Sequence, residues 1–262
     1  MNPAPAMDPT ASFRRDGYVV IPDLLDQDEV AATRADLSRL AREADGFGGS
    51  PAGWHLDFEP GQPTGGDDRE LRVRKFRDIG LGDAAFWDLV RHRRTLEAVD
   101  GLIGPGAQLL QTMALVKPPE IGSAKDWHQD IPYFPLEAGT RVVGVWIALD
   151  DATLENGCMQ VVPGSHHLGP VAHVQGSTGW RLEPVLCEHL LPAVVPLPMA
   201  AGSALLFDGA LFHFTDINRS RQRRRALQNH YVSAAARLAA GRTGRLFDLS
   251  SSLPPFQRPN DE

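Results

Sequence analysis

Beyond Pro105 the apolar pattern of this 262-residue chain switches to a period of two, and that switch limits what the chain can fold into more than any other feature. Gln108 to Lys117, Val142 to Asp150, Met159 to Val162, Ala204 to Phe207 and Ala226 to Ser233 read as short strands between turns rich in Gly and Pro. Alternate side chains of a strand point to opposite faces, so such segments must pair and then bury one face. The second half is therefore expected to form an all-β sandwich or barrel. Two helical patterns precede it. After a short strand at Tyr18 to Ile21, Asp26 or Asp28 is placed to cap a helix with Val30, Leu37, Leu40 and Ala44 on its apolar stripe. A second helix is expected from about Asp83 to Val99, burying Phe86, Leu89, Val90, Leu96 and Val99 and ended by Gly101 and Gly104. Both should pack on the outside of the β core.

No internal repeat and no sharp linker divides the sequence, so residues 1–262 are expected to form a single domain. Residues 1–12 are rich in Pro and Ala, and 250–262 carry Pro254, Pro255 and Pro259 among polar residues; both ends are expected to be disordered. The Gly- and Pro-dense stretch 46–66 reads as a long loop, expected to be a mobile lid. A hydrophobic content of 42% suffices for a sizeable core. Two cysteines, Cys158 and Cys187, argue against a disulfide framework and against a zinc site of paired thiolates, and fit a reducing cytoplasm. The first residues lack the basic start and apolar run of a signal peptide, and no apolar stretch approaches the roughly 20 residues that span a bilayer. A net charge of −7 opposes nucleic acid as a partner. Locally the chain is basic from Arg219 to Arg225, a run that reads first as a solvated face. Nothing in the sequence sets the oligomeric state.

Two His-x-Asp pairs stand out: Trp54-His55-Leu56-Asp57 and Trp127-His128-Gln129-Asp130. Residues i and i+2 of a strand share a face, so such a pair can present an imidazole and a carboxylate to one ion. A metal that must also bind oxygen and a co-substrate is held on one side by two imidazoles and a carboxylate, with its other positions open. Short motifs of this kind also arise by chance. His55 and Asp57 fall in the Gly/Pro-rich stretch, whereas His128 and Asp130 lie between strands that would support a site, so the second pair is preferred. Among the remaining histidines, His213 is best placed for a third ligand, following the strand-like Ala204 to Phe207 and flanked by Phe212 and Phe214. Taken by itself, it fits a neutral core histidine at least as well.

Lys117-Pro118-Pro119, Trp127-His128-Gln129-Asp130, Trp146 to Asp151, Glu155-Asn156-Gly157-Cys158 and Val162-Pro163-Gly164-Ser165-His166 occur in an order and spacing that resemble the phytanoyl-CoA dioxygenase family. His213 followed by Asn218, Ser220 and Arg224 resembles that family's distal segment, and the likeness runs from Gly17 to about Ser233. The resemblance implies a mainly β double-stranded β-helix, a cupin-like jelly roll with flanking helices. It implies Fe(II) as metal with 2-oxoglutarate and O2 as co-substrates, and His128, Asp130 and His213 as catalytic metal ligands. Arg224 would grip the distal carboxylate of 2-oxoglutarate, with Arg225 the competitor because strand neighbours face opposite ways. Trp146, Gln111, Lys75 and Thr215 would line the co-substrate pocket, and His166 would be structural or part of a wall.

The reaction implied by this resemblance is hydroxylation of an unactivated carbon of a small molecule, with succinate and CO2 formed. Related halogenases have a small residue in place of the carboxylate ligand, and here Asp130 is retained. Desaturation, cyclisation and epimerisation use the same ligands. A specialised metabolite, an acyl-CoA and an amino acid all remain as substrates, with Trp54, His55 and Asp57 as lid contacts and Phe134 and Arg141 as further pocket candidates. The rival readings are a cupin-like metal protein that does not depend on 2-oxoglutarate and a non-catalytic anion-binding protein.

Overall fold

A computed structural model describes residues 9–44, 53–63, 68–176 and 179–257. The first part of the chain forms α1 (Pro9–Asp16), β1 (Tyr18–Ile21), α2 (Gln27–Glu43), β2 (His55–Phe58), β3 (Val73–Arg77), α3 (Ile79–Gly82), α4 (Ala84–Val90) and α5 (Arg93–Ile103). Strands then dominate: β4 (Gln108–Lys117), β5 (Lys125–His128), β6 (Val142–Ala148), β7 (Met159–Val161), β8 (His173–Gly176) and β9 (Gly179–Leu182). After α6 (Pro184–Leu190) come β10 (Val195–Leu197), β11 (Ala204–Asp208), β12 (His213–Thr215) and β13 (Arg224–Val232). All five strands expected after Pro105 are present, with small shifts at their ends.

A seven-stranded antiparallel sheet in the order β1-β11-β6-β13-β4-β3-β2 faces a four-stranded one in the order β10-β7-β12-β5. Strand alternation builds two cores. On β6, Val143, Val145 and Ile147 point outward and join Leu206 and Leu227 against Val30, Leu37, Leu40 and Ala41 of α2 and Phe86, Trp87 and Val99 of the later helices. Trp146 and Ala148 point inward, where they meet Leu205 and Phe207 of the same sheet and Met159 and Val161 of the smaller one. Each fully buried side chain of this size stabilises the fold by about 1.5–3 kcal/mol relative to leaving it exposed. The result is the expected jelly-roll core with helices on its outer face. Asp26 caps α2: its carboxylate accepts from the Glu29 N–H at 2.8 Å, and the Glu29 carboxylate accepts from the Asp26 N–H at 2.8 Å.

Several expectations need correction. The second helix is two, with His92 extended between α4 and α5. The apolar period crosses the break because both pieces bury onto one core. The chain can stop there because the Tyr231 hydroxyl donates to the Val90 carbonyl at 2.7 Å, satisfying a helix end from outside. Residues 9–12 belong to α1, which buries Ser12 and Phe13. Of the tail, 250–257 is docked on the helices: the Trp87 indole donates to the Ser251 carbonyl at 2.9 Å and the Gln257 amide to the Gly82 carbonyl at 2.7 Å. In the stretch expected to be a lid, His55–Phe58 is an edge strand paired with β3, while 46–52 and 64–66 lie outside the described residues. No described helix is long and apolar enough to cross a membrane.

Candidate metal centre and its pocket

Pairing of β5 with β12 sets His128 directly opposite His213. Opposed residues of an antiparallel pair project from the same face, and the two ring centroids are 4.0 Å apart. Asp130 opens the short turn after β5, its N–H donating to the Gly209 carbonyl at 2.9 Å. Asp130 Oδ1 lies 3.4 Å from His128 Nε2 and 3.7 Å from His213 Nε2, and one ligand atom from each residue falls within 4.8 Å of the others. The far ring nitrogens are fixed by the backbone: His128 Nδ1–H donates to the Asp126 carbonyl at 2.7 Å and His213 Nδ1–H to the Leu211 carbonyl at 3.0 Å. That tautomer leaves both Nε2 lone pairs aimed at the space beside Asp130. Two imidazoles and a carboxylate on one side suit a divalent metal with open positions. The rival pair sits elsewhere: His55 is exposed on the sheet edge, and Asp57 is ion-paired with Arg77 at 2.9 Å.

The second oxygen of Asp130 is held from the opposite sheet. Oδ2 accepts from His230 Nε2 at 2.8 Å and from the Gln228 amide at 3.2 Å, both on the inner face of β13. The centre thus clamps the two sheets together. Burial works against a charge on Asp130, but His213 and His230 outweigh it and hold the carboxyl well below its usual range. Burial and the neighbouring His213 push the His128 imidazolium down to about 3, and burial likewise lowers His213. Sequence reasoning missed Gln228 and His230. The signal was there in Arg224-x-Ala226-x-Gln228-x-His230, a period-two polar row on a strand too apolar to face water.

A cavity of about 270 Å³ opens beside the three ligands. Arg224, Trp146, Gln111, Lys75, Thr215 and Phe134 all line it. Arg224 is 2% exposed, lies 5.3 Å from the Trp146 ring, and has Nε and Nη1 buried with no hydrogen-bond partner. Burial pulls its guanidinium down to about 10. Arg225, on the other face of the strand, donates from Nε and Nη2 to the two Asp150 oxygens at 2.8 Å each. The alternation of β13 therefore leaves Arg224 facing the cavity. The candidates Trp54, His55, Asp57 and Arg141 lie outside the cavity lining. Trp54 is 3% exposed and packs 6.2 Å from Phe76 in the helix-side core. His55 stands exposed on the edge strand, and Arg141 pairs with Asp208 at 3.4 Å beside a separate surface hollow. The placement of Trp54 and His55 follows from their position at the start of β2, a strand whose inward face is committed to packing.

Two motif residues act by shaping the chain. The buried Asn218 amide donates to the carbonyls of Lys117 and Pro118 at 3.0 and 3.1 Å and of Gln222 at 2.7 Å, while its oxygen accepts from the Ser220 N–H at 2.9 Å. It knits the loop that delivers Arg224 to the strand that delivers Lys117. Gly157 has φ +82° and lies where a Cβ would collide with the Asp216 carbonyl and crowd Lys117, so glycine is required there. His166 accepts no metal role in this arrangement; its Nε2 lies 3.2 Å from the Arg14 carbonyl, tying its turn to α1.

The phytanoyl-CoA dioxygenase (PhyH) family model matches residues 13–226. Phytanoyl-CoA dioxygenase domain-containing protein 1 of Bos taurus is 33% identical over 264 residues, covering 85% of this chain and 88% of that protein. Among solved structures, the epimerase SnoN in complex with Fe3+, alpha ketoglutarate and nogalamycin RO is 26% identical, with a TM-score of 0.68 over 88% of this chain and 84% of its own. The non-heme alpha ketoglutarate dependent carbocyclase SnoK from nogalamycin biosynthesis is 25% identical, with a TM-score of 0.68 over 89% and 86%.

Proposed function

The chain belongs to the phytanoyl-CoA dioxygenase family, and from that premise we propose that it is an iron(II)- and 2-oxoglutarate-dependent dioxygenase that hydroxylates an unactivated carbon of a small molecule. The unpartnered guanidinium of Arg224 carries this reading. A buried cation with free N–H groups is costly unless an anion completes it. Here it faces a cavity that also holds the triad of metal ligands. A dicarboxylate that chelates a metal at one end and forks onto an arginine at the other satisfies both.

In this reading His128, Asp130 and His213 hold iron(II), and Arg224 binds the distal carboxylate of 2-oxoglutarate. Trp146 lies under the guanidinium and holds it against the pocket wall, and Lys75, Gln111 and Thr215 offer further hydrogen bonds to the co-substrate. Iron, when bound, activates O2 as 2-oxoglutarate is converted to succinate and CO2. The chain's part is to orient and to exclude water. Phe207, 5.0 Å from the His213 ring, and Phe134, 5.0 Å from His230, close the centre on two sides. Asp130 stays anionic and fixed by His230 and Gln228. With this carboxylate in place as the third ligand, oxygen transfer is favoured over halogen transfer.

Anaerobic titration of the purified protein with iron(II) and 2-oxoglutarate tests the proposal. A weak visible charge-transfer band should form, be lost in His128→Ala and be retained in His55→Ala. Arg224→Gln should weaken 2-oxoglutarate about 100-fold while iron affinity changes by no more than about threefold. A band that survives His128→Ala would defeat the reading. A second reading draws on the epimerase and the carbocyclase among the structural neighbours: removal of hydrogen from carbon without delivery of oxygen. A product 16 mass units heavier than substrate marks hydroxylation; an unchanged mass marks epimerisation, and a loss of two marks ring closure or desaturation.

A further inference from the structure

Outside the cavity many of the arginines are paired with carboxylates. Arg34 and Arg225 pair with Asp150, Arg42 and Arg223 with Glu70, Arg77 with Asp57 and Arg141 with Asp208. Around the cavity the pattern is reversed. Arg74, Lys75, Lys117, Lys125 and Arg224 all line it, and among the described residues none has a carboxylate within 4.0 Å. Asp130 is the one carboxylate in the described lining. In a chain whose net charge is −7, so many unmatched cations around one hollow point to anions arriving from solution.

The proposed co-substrate accounts for part of this excess. The charge of a divalent metal and of Arg224 is matched by Asp130 and the two carboxylates of 2-oxoglutarate. Lys117 is sealed in beside Arg224 with its ammonium donating to the Ser123 carbonyl, and burial pushes its pKa well below the usual range. Arg74, Lys75 and Lys125 remain. If Lys75 also hydrogen-bonds to the co-substrate, Arg74 and Lys125 are still unmatched. Lys125 Nζ donates to the Tyr133 hydroxyl at 3.0 Å and to the Trp180 carbonyl at 3.1 Å, which stations it among residues 42% and 49% exposed, at the mouth of the cavity. Arg74 is half-buried, and its side chain makes no hydrogen bond or ion pair among the described residues.

We propose that the substrate is itself an anion, a small molecule whose carboxylate or phosphate is held at the cavity mouth by Arg74 and Lys125 while the carbon to be oxidised lies over the metal. The inference rests on the oxygenase reading and sharpens it to a substrate class. Two cations set apart from the metal also fix one end of the molecule, so the distance from the anionic group to the reacting carbon would be a property of this pocket.

The test uses the protein loaded anaerobically with iron(II) and 2-oxoglutarate, titrated with pairs that differ in charge: benzoate against benzamide, hexanoate against hexanamide, and phenyl phosphate. Binding is read by calorimetry and by the change in the visible chelate band. The anion of a pair should bind about tenfold tighter or more than its amide. In the Arg74→Gln/Lys125→Gln variant that gap should shrink below about threefold, with 2-oxoglutarate affinity held within about twofold. Amides that bind as well as acids, a panel in which no anion binds, or a gap that persists in the variant because the anion sits on the metal, would each overturn the proposal. Benzoate against phenyl phosphate tells carboxylate from phosphate recognition. Failure of the wild-type protein to form the chelate at all would instead sink the oxygenase reading, so the two failures are distinguishable.

Discussion

At Asp130 one oxygen faces the two imidazoles and the other is tied down by His230 and Gln228. Residues that orient a metal ligand in this way typically set 10–100-fold in metal affinity. His230→Leu should therefore weaken iron(II) or manganese(II) binding by about that factor, measured by competition with a colorimetric chelator, and leave the 2-oxoglutarate carboxylate contact at Arg224 unaltered. Unchanged metal affinity would show that Asp130 is positioned by its own backbone. His128, Asp130 and His213 were legible from residue type, spacing and family likeness, because strand pairing turns a two-residue interval into a shared face. His230 was not. A ligand's hydrogen-bond partner carries no motif of its own, and it reaches Asp130 from the other sheet, 100 positions along the chain. The choice between Arg224 and Arg225 was likewise open in the sequence, since both are arginines and only the phase of β13 separates them.

Within the strands, the period-two pattern identified β4, β6, β11 and β13, each long enough to show alternation, while the three-residue β7 was marked by the apolar run Met159 to Val162. Strands β5 and β12, which carry the histidines, have four and three residues, too few for a period to register. The inner face of β6 also carries a constraint invisible in one dimension. A Cβ on Gly144 would strike the Phe207 ring, which packs 5.0 Å from His213. Gly144→Ala should cost about 1–3 kcal/mol in a urea titration and displace Phe207 toward the metal ligands, broadening the signal of bound manganese(II) in electron paramagnetic resonance. Full stability with an unaltered manganese(II) spectrum would count against this packing account. On the opposite face, Tyr231→Phe removes the bond that lets α4 end at Val90. It should cost about 1–3 kcal/mol, the penalty for leaving a buried carbonyl unpaired, with metal affinity unchanged. A drop in metal affinity as well would show that the helix break is coupled to the centre.

Across the whole molecule, Asp150 joins β6, β13 and α2 by pairing with Arg225 and Arg34. Burial opposes its charge, but the Arg225 hydrogen bonds prevail and its folded pKa is lowered. A carboxyl depressed on folding adds stability that is fully present above its unfolded pKa of about 3.9 and is lost as pH falls through the folded value. The protein should therefore lose stability below about pH 4, and Asp150→Asn should flatten that acid limb, as read from melting temperatures at pH 3 to 6. An acid limb as steep in the variant as in the wild type would place the titrating group elsewhere. Taken by itself, the sequence determined what depends on local chemistry and repeat: the β class of the second half, the capped helix α2, and the identity of residues able to hold a metal. The helix break at His92, the burial of Trp54, the docked tail and the concentration of unpaired cations around one cavity were decided by tertiary structure. The physical reason is that periodicity records which side of an element is buried, whereas what lies against that side depends on which distant segment the folded chain brings there.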